Sequence, residues 1–369
     1  MLKSGRAEVH DWATWQSGVA LVFTHRRMQM RLTTMLALLC AGLCSHVFAA
    51  ERVSLLVYTA LETDQIRAYK SAFEKTYPDV EIKWVRDSTG IITARLLAEK
   101  ANPQADVVMG VAASSLALMD AEGMLLPYKP KGYEQLNAKY VDAKAVPSWV
   151  GMDVAGATIC FNTVEAKKMN LPKPETWQDL AKPVYKGKIV MPHPASSGTG
   201  YFDVTAWLQL FGEQGGWKYM DALHENIAQY MHSGSKPCKS AGSGEFPIGI
   251  SLEYRGTQVK SGGAPIDLVF PKEGLGWDIE ATGIMKNTKK LDAAKKLADW
   301  SASKEANEMY QKNVAIVAHT AVNKPLEGLP ANYEEMLIKN DFAFAAKNRD
   351  KILAEWSRRY DAKSEPKSK

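Results

Sequence analysis

Cysteine is scarce, four residues in 369, which excludes a small disulfide-knit scaffold. Two of the four, Cys40 and Cys44, fall in an apolar N-terminal run. They follow Leu39 and Leu43 rather than small residues, which argues against a lipid-modified cysteine. Histidine is also sparse, and His193, His224, His232 and His319 are the only ones beyond residue 50. None shows the i, i+4 pairing of a helical metal site. Neither H-E-x-x-H nor G-x-S-x-G occurs, so the motifs of a zinc protease or a nucleophile-elbow hydrolase are missing. Beyond residue 50 no apolar run approaches the roughly 20 residues of a membrane helix. The net charge is only +5, and no long basic run is interleaved with aromatics, so a nucleic-acid partner is not expected. Short-period repeats and low-complexity segments are absent as well.

The first fifty residues have their own pattern. His25 to Arg31 is basic, Leu32 to Leu43 is mostly apolar, and Ser45-His46-Val47-Phe48-Ala49-Ala50 ends in small residues. That is the order of a cleavable secretory signal peptide. Residues 1–27 carry no clear pattern, and Met28 or Met30 reads equally well as the start. Removing residues 1–49 leaves 41 basic and 39 acidic residues. Export to the periplasm is the expectation, and Cys160 and Cys238 are then expected to pair as a disulfide in an oxidising compartment.

Hydrophobic residues make up 46% of the chain and charged ones 24%, ordinary for a folded protein of this size. Length suggests about two domains. The runs Val53–Tyr58, Glu81–Arg86 and Ala105–Met109 read as strands, each followed by a polar turn and an amphipathic helix. Strand, turn and helix three times over predicts parallel α/β construction. The pattern restarts with the strand Lys188–Met191, a helix after Gly200, and a helix over Trp217–Tyr230. Strands follow at Pro247–Leu252, Ile266–Phe270 and Ala281–Met285. A single helix is expected over Leu291–Tyr310, mostly helix over Tyr333–Tyr360, and a disordered polar tail from Lys363 to Lys369. Ligands of open parallel sheets sit beyond the carboxyl ends of the strands. That rule selects the turns Thr59–Glu62, Asp87–Gly90, Gly110–Ser115, Pro194–Gly200 and Glu253–Arg255.

Several stretches together resemble type II periplasmic binding proteins. They are Leu56-Val57-Tyr58-Thr59-Ala60, Phe73-Glu74-Lys75-Thr76-Tyr77-Pro78, Ala105-Asp106-Val107-Val108, Gly123-Met124-Leu125, Pro192 to Gly200, and Trp300-Ser301-Ala302-Ser303. Within that ferric-binding-protein-like superfamily the sequence is most similar to 2-aminoethylphosphonate-binding proteins of ABC importers. The segments Tyr58 to Glu62, Ser251 to Gly256 and Gly276 to Ala281 suggest that subgroup. The resemblance implies a two-lobe α/β protein, each lobe a mainly parallel sheet flanked by helices, with ligand in the cleft between them. It implies residues 51–155 plus 280–330 in lobe 1, 156–279 in lobe 2, and 331–369 as C-terminal helices and tail. It further implies a monomer without a cofactor or catalytic residue, delivering its solute to a permease in the inner membrane.

Such a ligand joins an anionic phosphonate to a cationic ammonium. The anion needs convergent donors, which helix-start N–H groups and hydroxyls supply. Ser196, Ser197, Gly198 and Thr199 fit that role, with Ser88 and Thr89 as a second donor pair from the other lobe. Both stretches read equally as helix caps. The ammonium needs a carboxylate or an aromatic face, for which the candidates are Glu62, Glu253 and Asp278 with Tyr58 and Tyr254 beside them. Arg255 reads as a partner of the phosphonate or of a carboxylate. Ferric ion, a polyamine, thiamine or another phosphonate are the alternative solutes. The ferric binders' paired tyrosines are replaced here by Glu253-Tyr254-Arg255.

Overall fold

The computed structural model describes residues 52–366, so the expected signal peptide lies outside the described residues. The first strand, β1 (Val53–Thr59), buries Leu55, Val57 and Tyr58. Glu62 then opens α1 (Thr63–Thr76) with a capping box closed by Gln65, which satisfies two otherwise orphaned donors. Tyr69 and Phe73 lie on the helix's buried side, and Pro78 follows two residues after its end. The pattern repeats through β2 (Val80–Arg86), α2 (Thr89–Ala98), β3 (Val107–Ala112), α3 (Ala113–Ala121) and the short β4 (Leu125–Leu126). β2, β1 and β3 lie side by side and parallel.

A 13-residue strand, β5 (Val150–Asn162), links this group to a second one. After α4 (Thr163–Lys168) come β6 (Ile189–Pro192), the long α5 (Gly198–Asn226) and β7 (Ile227–Met231). Then follow α6 (Lys236–Ser243), β8 (Ile248–Leu252), α7 (Glu253–Ser261) and β9 (Ile266–Val269). β8, β6 and β7 are again neighbours and parallel. The chain returns through β10 (Trp277–Met285), antiparallel to β3 on one side and to β5 on the other. The sheet therefore runs β2-β1-β3-β10-β5-β8-β6-β7. Each outer group is parallel, and β5 and β10 supply the antiparallel centre. β5 pairs with β10 as far as Gly156, and from Ala157 it pairs with β8.

Helices α8 (Leu291–Ser301), α9 (Lys304–Tyr310), α10 (Phe342–Lys347) and α11 (Arg349–Tyr360) complete the architecture. The first group of strands is sandwiched between two apolar clusters, one around Leu116, Met124 and Ile279 and the other around Phe73, Leu297 and Trp300. The second group has a core of Trp177, Trp207 and Ile250, onto which Ile352, Trp356 and Tyr360 of α11 pack. Cys160 on β5 and Cys238 on α6 are joined as a disulfide, fully buried. No helix among the described residues is long and apolar enough to cross a membrane.

Four local expectations are corrected. The helix expected over Trp217–Tyr230 stops at Asn226, whose side chain donates to the Leu180 and Lys182 carbonyls. The next residues pair with β6 instead, because sheet pairing outweighs the helical periodicity of a short apolar run. The helix expected over Leu291–Tyr310 breaks at Ala302, where Ser303 caps a new helix by accepting from the Ala306 N–H at 3.2 Å. The tail expected to be disordered from Lys363 is docked as far as Glu365. The Glu365 N–H donates to the Tyr230 carbonyl at 2.8 Å, and its carboxylate pairs with Lys236. β10 begins at Trp277, four residues before the expected strand.

The disulfide closes a loop of 78 residues, and a crosslink of this kind contributes about 2–4 kcal/mol. The Cys160→Ala, Cys238→Ala double variant is expected to unfold about 5–10 °C lower in a thermal melt. An unchanged melting temperature would show that the bridge is not formed in the exported protein.

Candidate functional site

The segments after β1, β2, β6, β7 and β8 and the carboxyl end of β3 converge on one cavity of about 70 Å³, while β5 and β10 form another part of its wall. All six of these strands belong to the parallel groups, so the carboxyl-end rule accounts for the convergence. On this scale one water needs roughly 10–15 Å³, so the cavity holds a small solute.

One side of the cavity is built from helix starts. Ser88 is the N-cap of α2, with extended backbone, yet its hydroxyl makes no capping bond. Thr89 begins that helix, and both residues line the cavity. Ser197 caps α5 and accepts from the Gly200 N–H at a long 3.4 Å, while Gly198 and Thr199 line the same wall. The two starts touch. The Gly90 N–H donates to the Ser196 carbonyl at 2.9 Å. A Cβ on Gly198 would lie 2.9 Å from Thr89 Cβ and Oγ1, and one on Gly90 would collide with the Ala195 carbonyl. These contacts require glycine at both positions. Two positive helix ends thus face one space, with under-used hydroxyls beside them, an arrangement that favours an anion. Ser196 is not part of it. Its hydroxyl turns to the His193 and His232 carbonyls and the His232 ring, because the tight turn points successive side chains to opposite sides.

A second wall is acidic. Glu62 lines the cavity but is already engaged. Arg255 lies 3.1 Å from its carboxylate and Arg86 3.6 Å, and the Ser235 hydroxyl donates to it. Arg255 thus pairs with a carboxylate, and its guanidinium also lies over the Tyr254 ring. Tyr254 reaches the cavity while its hydroxyl donates to Asp64 at 3.0 Å. Asp278 lines the cavity and accepts from its neighbour Ile279 N–H at 2.7 Å and more weakly from Ser114 N–H at the start of α3. Burial pushes its carboxyl up to about 6.

Two candidates lie elsewhere. Tyr58 is buried among the apolar residues beneath α2, and its hydroxyl donates to Glu99 at 2.9 Å. Glu253 is fully buried and accepts from the Gly156 N–H of β5 at 2.7 Å. Burial pushes its carboxyl up to about 8, which favours the protonated form near neutral pH, and the group braces the central strand outside the cavity lining.

Several cavity residues were not anticipated. Ser233, Gly234 and Ser235 line it; they follow β7, and reading Ile227–Tyr230 as helix hid the turn after that strand. Arg86 closes β2. Asp153 and Glu280 stand opposite each other in the β5–β10 pairing, and both line the cavity. A sequence signal existed for each. Asp153 is the one charge inside the run Val150–Phe161, and Glu280 lies two residues from Asp278, on the same strand face.

A two-lobe α/β frame whose strand ends enclose one small polar cavity is that of a periplasmic solute-binding protein serving an ABC transporter. The chain belongs to the bacterial extracellular solute-binding protein family, whose model it matches over residues 102–348. A protein of Haemophilus influenzae without an assigned role is 30% identical over 338 residues, covering 89% of this chain and 96% of the relative. A probable ABC transporter periplasmic-binding protein of Sinorhizobium fredii, y4fP, is 28% identical over 240 residues, covering 62% of this chain and 64% of the relative. Among solved structures, the periplasmic binding protein AfuA of Actinobacillus pleuropneumoniae with fructose-6-phosphate bound is 29% identical, with a TM-score of 0.78. That match covers 84% of this chain and 98% of AfuA. Members of this family are binding proteins rather than enzymes.

The brace at Glu253 has a pH signature. Its carboxyl titrates near 8 in the fold and near 4.3 in an unfolded chain. Between those values the folded protein holds a proton that the unfolded chain has released, so stability falls as pH rises. Glu253→Gln keeps an acceptor for Gly156 and removes this contribution. Thermal melts of the ligand-free protein from pH 5 to 9 should fall less steeply for the variant than for wild type. Equal slopes would mean that Glu253 is ionised in the folded protein.

Proposed function

We propose that this protein is the exported, monomeric receptor of an ABC importer for 2-aminoethylphosphonate. In this reading the phosphonate is held by Ser88 and Thr89 at one helix start and by Ser197, Gly198 and Thr199 at the other. The single observation that carries it is the contact of these two helix starts across one cavity whose neighbouring wall is acidic. Helix-start N–H groups and hydroxyls hold an anion without a lysine, which leaves the complex reversible enough for release to a permease. Because the two starts come from opposite parallel groups, an anion between them ties the groups together. We accordingly assign residues 51–155 plus 280–330 to one lobe and 156–279 to the other, with closure about β5 and β10. Tyr254, Glu62 and Asp278 then border the amino end.

A second reading, a sugar phosphate, is favoured by one specific observation: the AfuA structure contains fructose-6-phosphate. Both ligands share a tetrahedral anion and differ at the other end. A ferric ligand has less support, because Tyr254 has no tyrosine beside it and its hydroxyl is taken by Asp64.

Titration calorimetry of the mature protein with 2-aminoethylphosphonate, phosphate, fructose-6-phosphate, putrescine and ferric citrate separates these readings. The expected result is tight binding of 2-aminoethylphosphonate, with the ligand recovered unchanged. Tighter binding of fructose-6-phosphate would replace this reading with the second. Ser197→Ala combined with Thr199→Ala removes two donors to a charged oxygen, each worth about 1.5–3 kcal/mol. The affinity should fall by about a hundredfold or more. An unchanged affinity would reduce the stretch to a helix cap.

A further inference from the structure

We propose that Asp153 and Glu280, on the two central strands, form the subsite that selects a ligand's ammonium group. The inference rests on the reading of the helix starts as the anion site and adds what determines the other end of the ligand. Asp153 is 1% exposed and lines the cavity, and no N–H or hydroxyl of the described residues donates to its carboxylate, whose polar neighbour is the Glu280 carboxyl. A buried carboxylate whose polar neighbour is another carboxylate is costly, and such a pair facing a cavity points to a cationic ligand that completes it. Glu280 stands directly opposite Asp153 in the strand register, at the separation where side chains of paired strands interact.

The remaining acidic groups around the cavity are committed. Glu62 holds Arg86 and Arg255, Asp278 takes backbone N–H groups, and Glu253 braces Gly156. The same pairings occupy the two nearby arginines. Asp153 and Glu280 are thus the two cavity-lining carboxylates that take neither a cation nor a backbone N–H from the protein.

Like charges this close and this buried resist ionisation, and both carboxyls are raised, chiefly by burial. A ligand ammonium changes that balance. It brings a full positive charge and three donors, enough to reach both carboxylates and relieve their repulsion. A sugar hydroxyl donates one hydrogen bond and leaves the repulsion in place. The wall therefore favours a zwitterion over a neutral-tailed phosphonate, and rejects a ligand with a second anion.

Calorimetry with three ligands of similar length tests this: 2-aminoethylphosphonate, ethylphosphonate and phosphonoacetate. Wild type is expected to prefer 2-aminoethylphosphonate to ethylphosphonate by at least a hundredfold and to bind phosphonoacetate most weakly. In the Asp153→Asn, Glu280→Gln double variant the preference should shrink to within about threefold, while ethylphosphonate binds as well as or better than in wild type. Retained ethylphosphonate binding shows that the variant is folded; should it not fold, the wild-type ratio alone decides. Equal wild-type affinities for 2-aminoethylphosphonate and ethylphosphonate would overturn the subsite while leaving the anion site standing. An undiminished preference in the double variant would overturn it too. Wild type binding neither phosphonate but binding fructose-6-phosphate would overturn the underlying reading as well.

Discussion

The antiparallel pairing of β5 with β10 is the constraint on which the cavity depends. These two strands join one parallel group to the other, and every helix start at the cavity follows a strand linked to that pair through at most two intervening strands. The pair also carries Asp153, Asp278 and Glu280 into the wall. The fold tolerates such carboxylates in its central sheet because each end of the sheet has its own apolar core. Stability comes from those cores, and the centre is left free to be polar. Glu253, fully buried and bonded to Gly156, reinforces the central strand where it passes from one partner to the next.

The charge arrangement follows from the same geometry. Parallel strands aim their following helices the same way, so helix starts collect at one edge of each group. Two such edges facing each other concentrate partial positive charge without a lysine. The carboxylates lie on β5 and β10, between those edges. In the proposed reading, the anionic group and the cationic group of one small solute find complementary environments a few ångströms apart.

Much of this was legible in the sequence. The strand–turn–helix rhythm located β1, β2, β3, β6 and β8, and with them the turns holding Glu62, Ser88, Thr89, Ser197, Gly198, Thr199 and Tyr254. What escaped was what local periodicity cannot encode. β5 has Gly151, Asp153 and Gly156 interrupting its apolar run, so its strand character comes from pairing on both edges. β7 reads as the end of a helix, and losing it hid the Ser233–Ser235 turn. Tyr58 and Glu253 sit beside cavity-lining residues in sequence, but pleating and helix phase direct their side chains into the interior. Ser196 differs from Ser197 by one step in a tight turn. Adjacent positions in such motifs share chemistry without sharing a destination, and only the backbone path separates them.

The position of the bound anion decides whether the two helix starts form the binding site. A crystal structure of the mature protein with 2-aminoethylphosphonate tests this most directly. The phosphonate oxygens are expected within hydrogen-bond distance of the hydroxyls and backbone N–H groups at Ser88–Thr89 and Ser197–Thr199, with the two helix starts in contact around them. A phosphonate bound by Arg86 and Arg255 instead, with the helix starts occupied by water, would contradict it.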